Sequence, residues 1–137
     1  MRIMGIDYGT KRIGIALSDE LGMMAHARDT IECRDSVKDM DAIKGIIKDN
    51  DVVEVVVGLP LSMDGTYSAK TNETAAFVEA LKKEAACPVV TWDERLTSVM
   101  AERTLLEADM SRKKRRRLSD KLAAKFILQG YLDSKRR

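Results

Sequence analysis

Three carboxylates are the residues of this chain best suited to chemistry. Asp7 ends an apolar opening run, Glu94 follows Trp92 by two residues at the close of another, and Asp120 opens the last helical segment. If the elements that carry them meet at one end of a sheet, three like charges converge, and such a cluster is held together by a cation. Hard oxygen ligands select Mg²⁺ or Mn²⁺ over zinc. One or two such ions activate a water and stabilise the leaving oxygen of a phosphodiester displacement, so the implied chemistry is hydrolysis without a protein nucleophile. Each acid alone also has an ordinary reading: a turn cap for Asp7, a surface acid for Glu94, a first-turn acid favoured by the helix dipole for Asp120. Helical spacing adds weight at one of them. Asp120 lines up with Ala124, Ile127 and Tyr131, the stripe expected to face the core, where a carboxylate needs a partner.

Other reactive side chains offer less. His26 is the sole histidine, in a weakly patterned segment without Cys or His nearby, and reads as a bystander. Cys33 and Cys87 lack a C-x-x-C partner and read as free thiols. Trp92 and Tyr131 suit the core better than a base-stacking platform.

The acids must be positioned by the elements around them. Arg2–Asp7 and Lys11–Leu17 read as a hairpin across the turn at Tyr8-Gly9-Thr10, and Ala25–Ile31 as a third strand. A helix at about 36–48 puts Val37, Met40, Ile43 and Ile47 on one stripe. Val52–Val57 is a β-branched run stopped by Gly58-Leu-Pro60, the pattern of a parallel strand buried on both faces. A second helix, about 68–86, is expected to turn Ala76, Phe77, Ala80 and Leu81 inward, and Cys87–Trp92 supplies a fifth strand. Helices at about 98–107 and 119–133, separated by the basic stretch Arg112–Arg117, close the chain. The expected fold is α/β: a mixed five-stranded sheet, three antiparallel strands then two parallel ones, with helices on both faces, the RNase H-like order. Actin-type and hexokinase-type ATPases start the same way, so topology alone does not assign function.

With 137 residues the chain has the length of one domain, residues 1–137. No apolar run reaches a membrane span and no leader precedes the first strand, which points to a cytoplasmic protein. The net charge of +2 is unevenly distributed. Residues 1–94 hold 11 basic and 17 acidic side chains, residues 95–137 hold 13 and 5. A basic region at one end is the footprint of a polyanion partner.

Four motifs occur in order: Asp7-Tyr-Gly-Thr-Lys-Arg-Ile-Gly-Ile-Ala16, Gly58-Leu-Pro-Leu-Ser-Met-Asp-Gly65, Asp93-Glu-Arg-Leu-Thr-Ser98 and Asp120-Lys-Leu-Ala-Ala124. Together they closely resemble the YqgF/RuvX family, over residues 2–132. The resemblance implies a bacterial branch of the RNase H-like superfamily, related in fold to the resolvase RuvC, whose ascribed role is maturation of the 5′ end of pre-16S rRNA in ribosome biogenesis. It assigns the catalytic, metal-binding acids to Asp7, Glu94 and Asp120; Asp93, which extended chain turns the opposite way from Glu94, is given a supporting or capping role. Departures are small: Thr66-Tyr67-Ser68 after the proline motif and Lys121-Leu122 after the last acid.

Further substrate contacts are expected around the acids. Lys11, Arg12 and Arg95 flank them and suit phosphates or, equally, simple charge balance. The run Arg112, Lys113, Lys114, Arg115, Arg116 and Arg117 directly precedes Asp120 and would draw nucleic acid toward it, as a solvated loop until a polyanion orders it. Asp64 and Gly65 form a turn that could offer the next helix N-terminus to a phosphate, and Gly58 with Pro60 ends a strand at the sheet edge where ligands bind. Gly9 permits the tight hairpin turn that leaves backbone beside the metal and Gly14 lets the second strand pass close to a ligand, or both are plain hairpin glycines. The expected partner is a structured rRNA precursor, acted on by a monomer or homodimer. Alternatives are a Holliday-junction resolvase acting on branched DNA, which needs a dimer for two symmetric cuts, a non-catalytic RNA-binding module, and an ATP-binding actin- or hexokinase-like domain, which the length disfavours.

Overall fold

Alternation in the opening strand β1 (Arg2–Tyr8) sends Met4 and Ile6 to one side of the chain and Gly5 and Asp7 to the other. The following strand β2 (Arg12–Ser18) pairs with it antiparallel, setting Ile15 opposite Ile6 and Gly14 opposite Asp7. A computed structural model of the chain describes residues 1–96 and 112–136, with side chains described for 1–96 and 122–136. The helix expected at about 98–107 lies outside the described residues.

The third strand expected at Ala25–Ile31 is two short ones. β3 (Ala25–Ala27) and β4 (Ile31–Glu32) each pair antiparallel with β2, at its far and near ends. The weak alternation between them fits the interruption: only Ala25 has a buried side to offer. Helix α1 (Ser36–Asp49) starts where Asp35 accepts from the backbone N–H of Lys38, a standard N-cap bond. Its inward stripe is Met40, Ile43 and Ile47, while Val37 is 69% exposed, because the first turn precedes the contact with the sheet.

Strand β5 (Val52–Leu59) is parallel to β1, and β6 (Val89–Asp93) is parallel to β5. Among the described residues the sheet has six strands in the order β3-β2-β1-β5-β6, with β4 also on β2. Helix α2 (Ala69–Glu84) is capped by Ser68, whose side chain and Thr71 form a reciprocal capping box. The stripe it buries is Thr71, Thr74, Val78 and Leu81; Ala76 and Ala80 are exposed. Two threonines can face inward here because their hydroxyls donate to the Pro60 carbonyl, at 2.6 Å, and to the Lys70 carbonyl, at 3.0 Å.

Helices α1 and α2 pack on one face over Met4, Ile6, Ile15, Val55 and Val57. Helix α3 (Arg112–Lys135) covers the other, with Ala124, Leu128 and Leu132 against Ala16, Ala25 and Val56. It begins seven residues earlier than the expected 119, so the basic stretch Arg112–Arg117 belongs to the helix and does not separate two helices. Arg and Lys are good helix formers, and continuation into a packed helix outweighs their mutual repulsion.

Candidate active site

The α3 face of the sheet carries small residues, and one of them, Gly58, has an acid on either side. Asp7 lies on that face, opposite Gly14 of β2. On its other side the parallel register pairs Ile6 with Val57, so the next residue of β5, Gly58, is its neighbour. Glu94 opens a single 3₁₀ turn (Glu94–Leu96) directly after β6. A Cβ placed on Gly58 would lie 2.9 Å from Glu94 Oε1 and 2.4 Å from Ile127 Cδ1 of α3. The absent side chain is the space that Glu94 and Ile127 use, and Asp7 borders it. Gly5, one pleat earlier, does the same for the helix: its Cβ would meet Leu128 Cβ at 2.7 Å.

Helix α3 runs antiparallel to β5 across this face. Ile127 sits at Gly58 near the strand's C-terminal end, whereas Tyr131 donates to Glu54 Oε1 at 2.7 Å and Lys135 Nζ to the same oxygen at 3.1 Å, near the strand's start. Followed back about two turns from Ile127, the helix leads toward the strand ends and to Asp120. The side chains of Asp120, and of Arg112, Lys113, Lys114, Arg115, Arg116 and Arg117, lie outside the described ones. Among the described residues no three His, Cys, Asp or Glu side chains form a group able to hold a metal ion. Asp7 and Glu94 provide carboxylate oxygens beside a position with no Cβ, a donor set suited to a hard divalent cation.

Asp93 has a different environment from its neighbour. Trp92 faces α3 and meets Tyr131 edge-on at 5.9 Å, so Asp93 turns to the opposite side of the strand. There its carboxylate accepts the Arg95 backbone N–H at 3.0 Å and grips the guanidinium through Nε at 3.1 Å and Nη2 at 2.7 Å. The guanidinium bonds hold the Asp93 carboxyl below the usual carboxylate range and raise Arg95 in turn. Arg95 Nη1 donates to the Met63 carbonyl at 3.1 Å, and the guanidinium lies 3.5 to 3.9 Å from where a Gly65 Cβ would stand. Gly65 has φ of +87°, a conformation that favours glycine. Asp64 closes the same turn by accepting from the Thr66 hydroxyl at 2.6 Å and its N–H at 3.0 Å, and the first of these bonds chiefly lowers its pKa.

The other expected contacts are more dispersed. Lys11 is exposed at the hairpin turn, where a Gly9 Cβ would strike the Arg12 carbonyl at 2.5 Å. Arg12 Nε donates to Glu32 across the β2–β4 pair at 3.1 Å. Pro60 lends its carbonyl to α2 through Thr71. His26 is exposed on β3, and Cys33 and Cys87 are free thiols. Sequence reasoning treated Gly58 as a strand stop and missed its cradle; it also missed the tie from Arg95 to Met63. The Asp-x-Arg spacing across a tight turn is the signal that could have pointed to the bond between Asp93 and Arg95.

A family model described as "RuvX: Holliday junction resolvase" matches residues 1–134. The chain belongs to the RuvX family. Relatives from Halothermothrix orenii, 50% identical over 97% of this chain and 95% of their own, and from Listeria innocua, 48% identical over 98% and 99%, carry the name "Putative pre-16S rRNA nuclease". Among solved structures, Thermus thermophilus RuvC in complex with a Holliday junction substrate aligns with a TM-score of 0.57 at 15% identity, covering 99% of this chain and 96% of that one. The fowlpox virus Holliday junction resolvase aligns with a TM-score of 0.54 at 13% identity, over 98% and 99%. At such identities the likeness concerns the fold, which is RNase H-like. No helix among the described residues is long and apolar enough to cross a membrane.

Proposed function

We propose that this RuvX-family chain is a metal-dependent nuclease that hydrolyses phosphodiester bonds of the pre-16S rRNA precursor near its 5′ end. The observation that carries the reading is the pair Asp7 and Glu94 at the bare Cα of Gly58, at the C-terminal ends of parallel strands where ligands of open α/β sheets bind. Asp120, on the helix that leads to this edge, is the third ligand. One or two Mg²⁺ or Mn²⁺ ions held there would supply water activation and charge stabilisation at the leaving oxygen. The residues of the chain do the rest. Asp7 and Glu94 fix the acid geometry on strand and turn, and Lys11, Arg12 and the basic start of α3 bind the phosphate backbone on either side. The single domain acts in the cytoplasm.

The relatives' shared name favours RNA, and the family description, Holliday junction resolvase, favours branched DNA as the second reading. Purified protein with Mn²⁺, offered a 5′-extended 16S precursor transcript and a four-way DNA junction, separates the two. Cleavage of the transcript is expected, with Asp7→Asn lowering the rate at least about a hundredfold, as loss of a group acting at the reacting phosphate does. Cutting of the junction alone would favour the second reading, and equal inertness of wild type and Asp7→Asn on both would end the nuclease assignment.

A further inference from the structure

Arg95 is the cation nearest in sequence to Glu94, which makes it a natural candidate for a substrate phosphate. Its hydrogen bonds point elsewhere. All three guanidinium nitrogens are already engaged by the protein: Nε and Nη2 by Asp93, Nη1 by the Met63 carbonyl. The group lies beside Gly65 in the β5–α2 loop, 3.5 to 3.9 Å from where a Cβ would stand, which is ordinary contact distance, and the positive φ of Gly65 shapes the turn it meets. That loop is closed by its own hydrogen bonds, Gly65 N–H to Ser62 O at 2.8 Å, Ser62 N–H to Thr66 O at 3.0 Å, and the Asp64–Thr66 bonds. It leaves the strand that carries Gly58, the cradle of Glu94, and its first residue, Pro60, is tied to α2 by the Thr71 hydroxyl. Glu94 stands between the two members of the Asp93–Arg95 pair on one short turn.

We propose that Arg95, gripped by Asp93, is a positioning residue: it clamps the Glu94 turn to the loop that follows Gly58, and so holds the Glu94 carboxylate over the cradle. The inference rests on the metal-site reading above. Lysine in its place reaches one acceptor at a time and cannot reproduce the fork that spans Asp93 and Met63. Alanine removes the clamp altogether. Removing a residue that orients a metal ligand typically weakens metal affinity 10- to 100-fold, whereas removing a residue that contacts phosphate lowers the salt dependence of nucleic-acid binding by about one unit of slope.

The test is Mn²⁺ binding to the whole protein by calorimetry, for wild type, Arg95→Ala, Arg95→Lys and Asp93→Asn. The salt dependence of affinity for the 5′-extended transcript, measured without divalent metal, runs beside it. Folding is checked by far-UV circular dichroism, and Asp93→Asn, nearly isosteric, keeps the test alive if Arg95→Ala unfolds. The expected result is Mn²⁺ affinity reduced about tenfold in Arg95→Ala, less in Arg95→Lys and Asp93→Asn, with the salt slope of every variant equal to wild type. Unchanged Mn²⁺ affinity in folded variants overturns the proposal, and so does a salt slope that falls in Arg95→Ala, which makes Arg95 a phosphate contact. Wild-type protein that binds no Mn²⁺ removes the metal site itself and the positioning role with it.

Discussion

The two faces of the central sheet are made of different materials. Toward α1 and α2 it presents Met4, Ile6, Ile13, Ile15, Val55 and Val57, large aliphatic side chains almost wholly buried. Toward α3 it presents Gly5, Gly14, Ala16 and Gly58, with polar groups among them: Asp7, Glu54 bound by Tyr131 and Lys135, and a Trp92 indole N–H that finds no hydrogen-bond partner among the described residues. The first face buries apolar surface and resembles any α/β core. The second gives up side-chain volume so that one helix lies close to the backbone and carboxylates keep space at the strand ends. Stability is concentrated on one face and the candidate chemistry on the other.

Substitutions on the two faces should therefore fail differently. The largest effect on stability is expected from the aliphatic face: Ile43→Ala, at a fully buried position of α1, should cost about 2–5 kcal/mol in urea unfolding while cleavage per folded molecule stays near wild type. On the α3 face, Gly5→Ala forces a Cβ to within 2.7 Å of Leu128 Cβ and 3.0 Å of the Ala124 carbonyl, neither of which is the end of a flexible chain. A cost of about 1–3 kcal/mol follows from overpacking, and the displaced helix should lower cleavage per folded molecule well below that of Ile43→Ala. Equal activity losses in the two variants would erase the contrast.

The smallest effect belongs to Tyr131→Phe, which removes the hydroxyl bond to Glu54 at the far end of α3 and should cost about 1 kcal/mol. Burial first and the Glu54 carboxylate second raise the Tyr131 pKa. Because the folded-state value is the higher one, the phenol's contribution is complete below its unfolded pKa of about 10 and is lost as pH rises through the folded value. The stability difference between wild type and Tyr131→Phe should accordingly shrink in strong alkali, as read from denaturant midpoints at stepped pH.

The contrast between the faces also decides what could be read from the sequence. Val52–Val57 and the Met40, Ile43, Ile47 stripe announce themselves because hydrophobic periodicity is the signal that burial leaves. Thr71 and Thr74 were hidden, since only their hydrogen bonds to backbone carbonyls make them core residues. Val37 misled for the opposite reason: it fits the stripe but stands one turn outside the contact. The α3 face interrupts its apolar pattern with Gly5, Gly14, Ala16 and Gly58 beside Val56 and Trp92, so the cradle at Gly58 reads only as a strand end. Six consecutive basic residues look like a loop, and their helix is dictated by the packing of Ala124–Leu132 further along. The motifs around Asp7 and Glu94 led to the right family, while the neighbourhood of those two acids depends on a strand register that spacing alone does not specify.

The space beside Gly58 is where a divalent ion must sit if the chain is a metal-dependent nuclease. Crystals soaked in Mn²⁺ and measured at the manganese absorption edge would locate any bound ion directly. The prediction is an anomalous peak about 2.1 Å from carboxylate oxygens of both Asp7 and Glu94, with Asp120 completing the set. Crystals that take up Mn²⁺ elsewhere, or that show no peak between Asp7 and Glu94 at saturating metal, would contradict it.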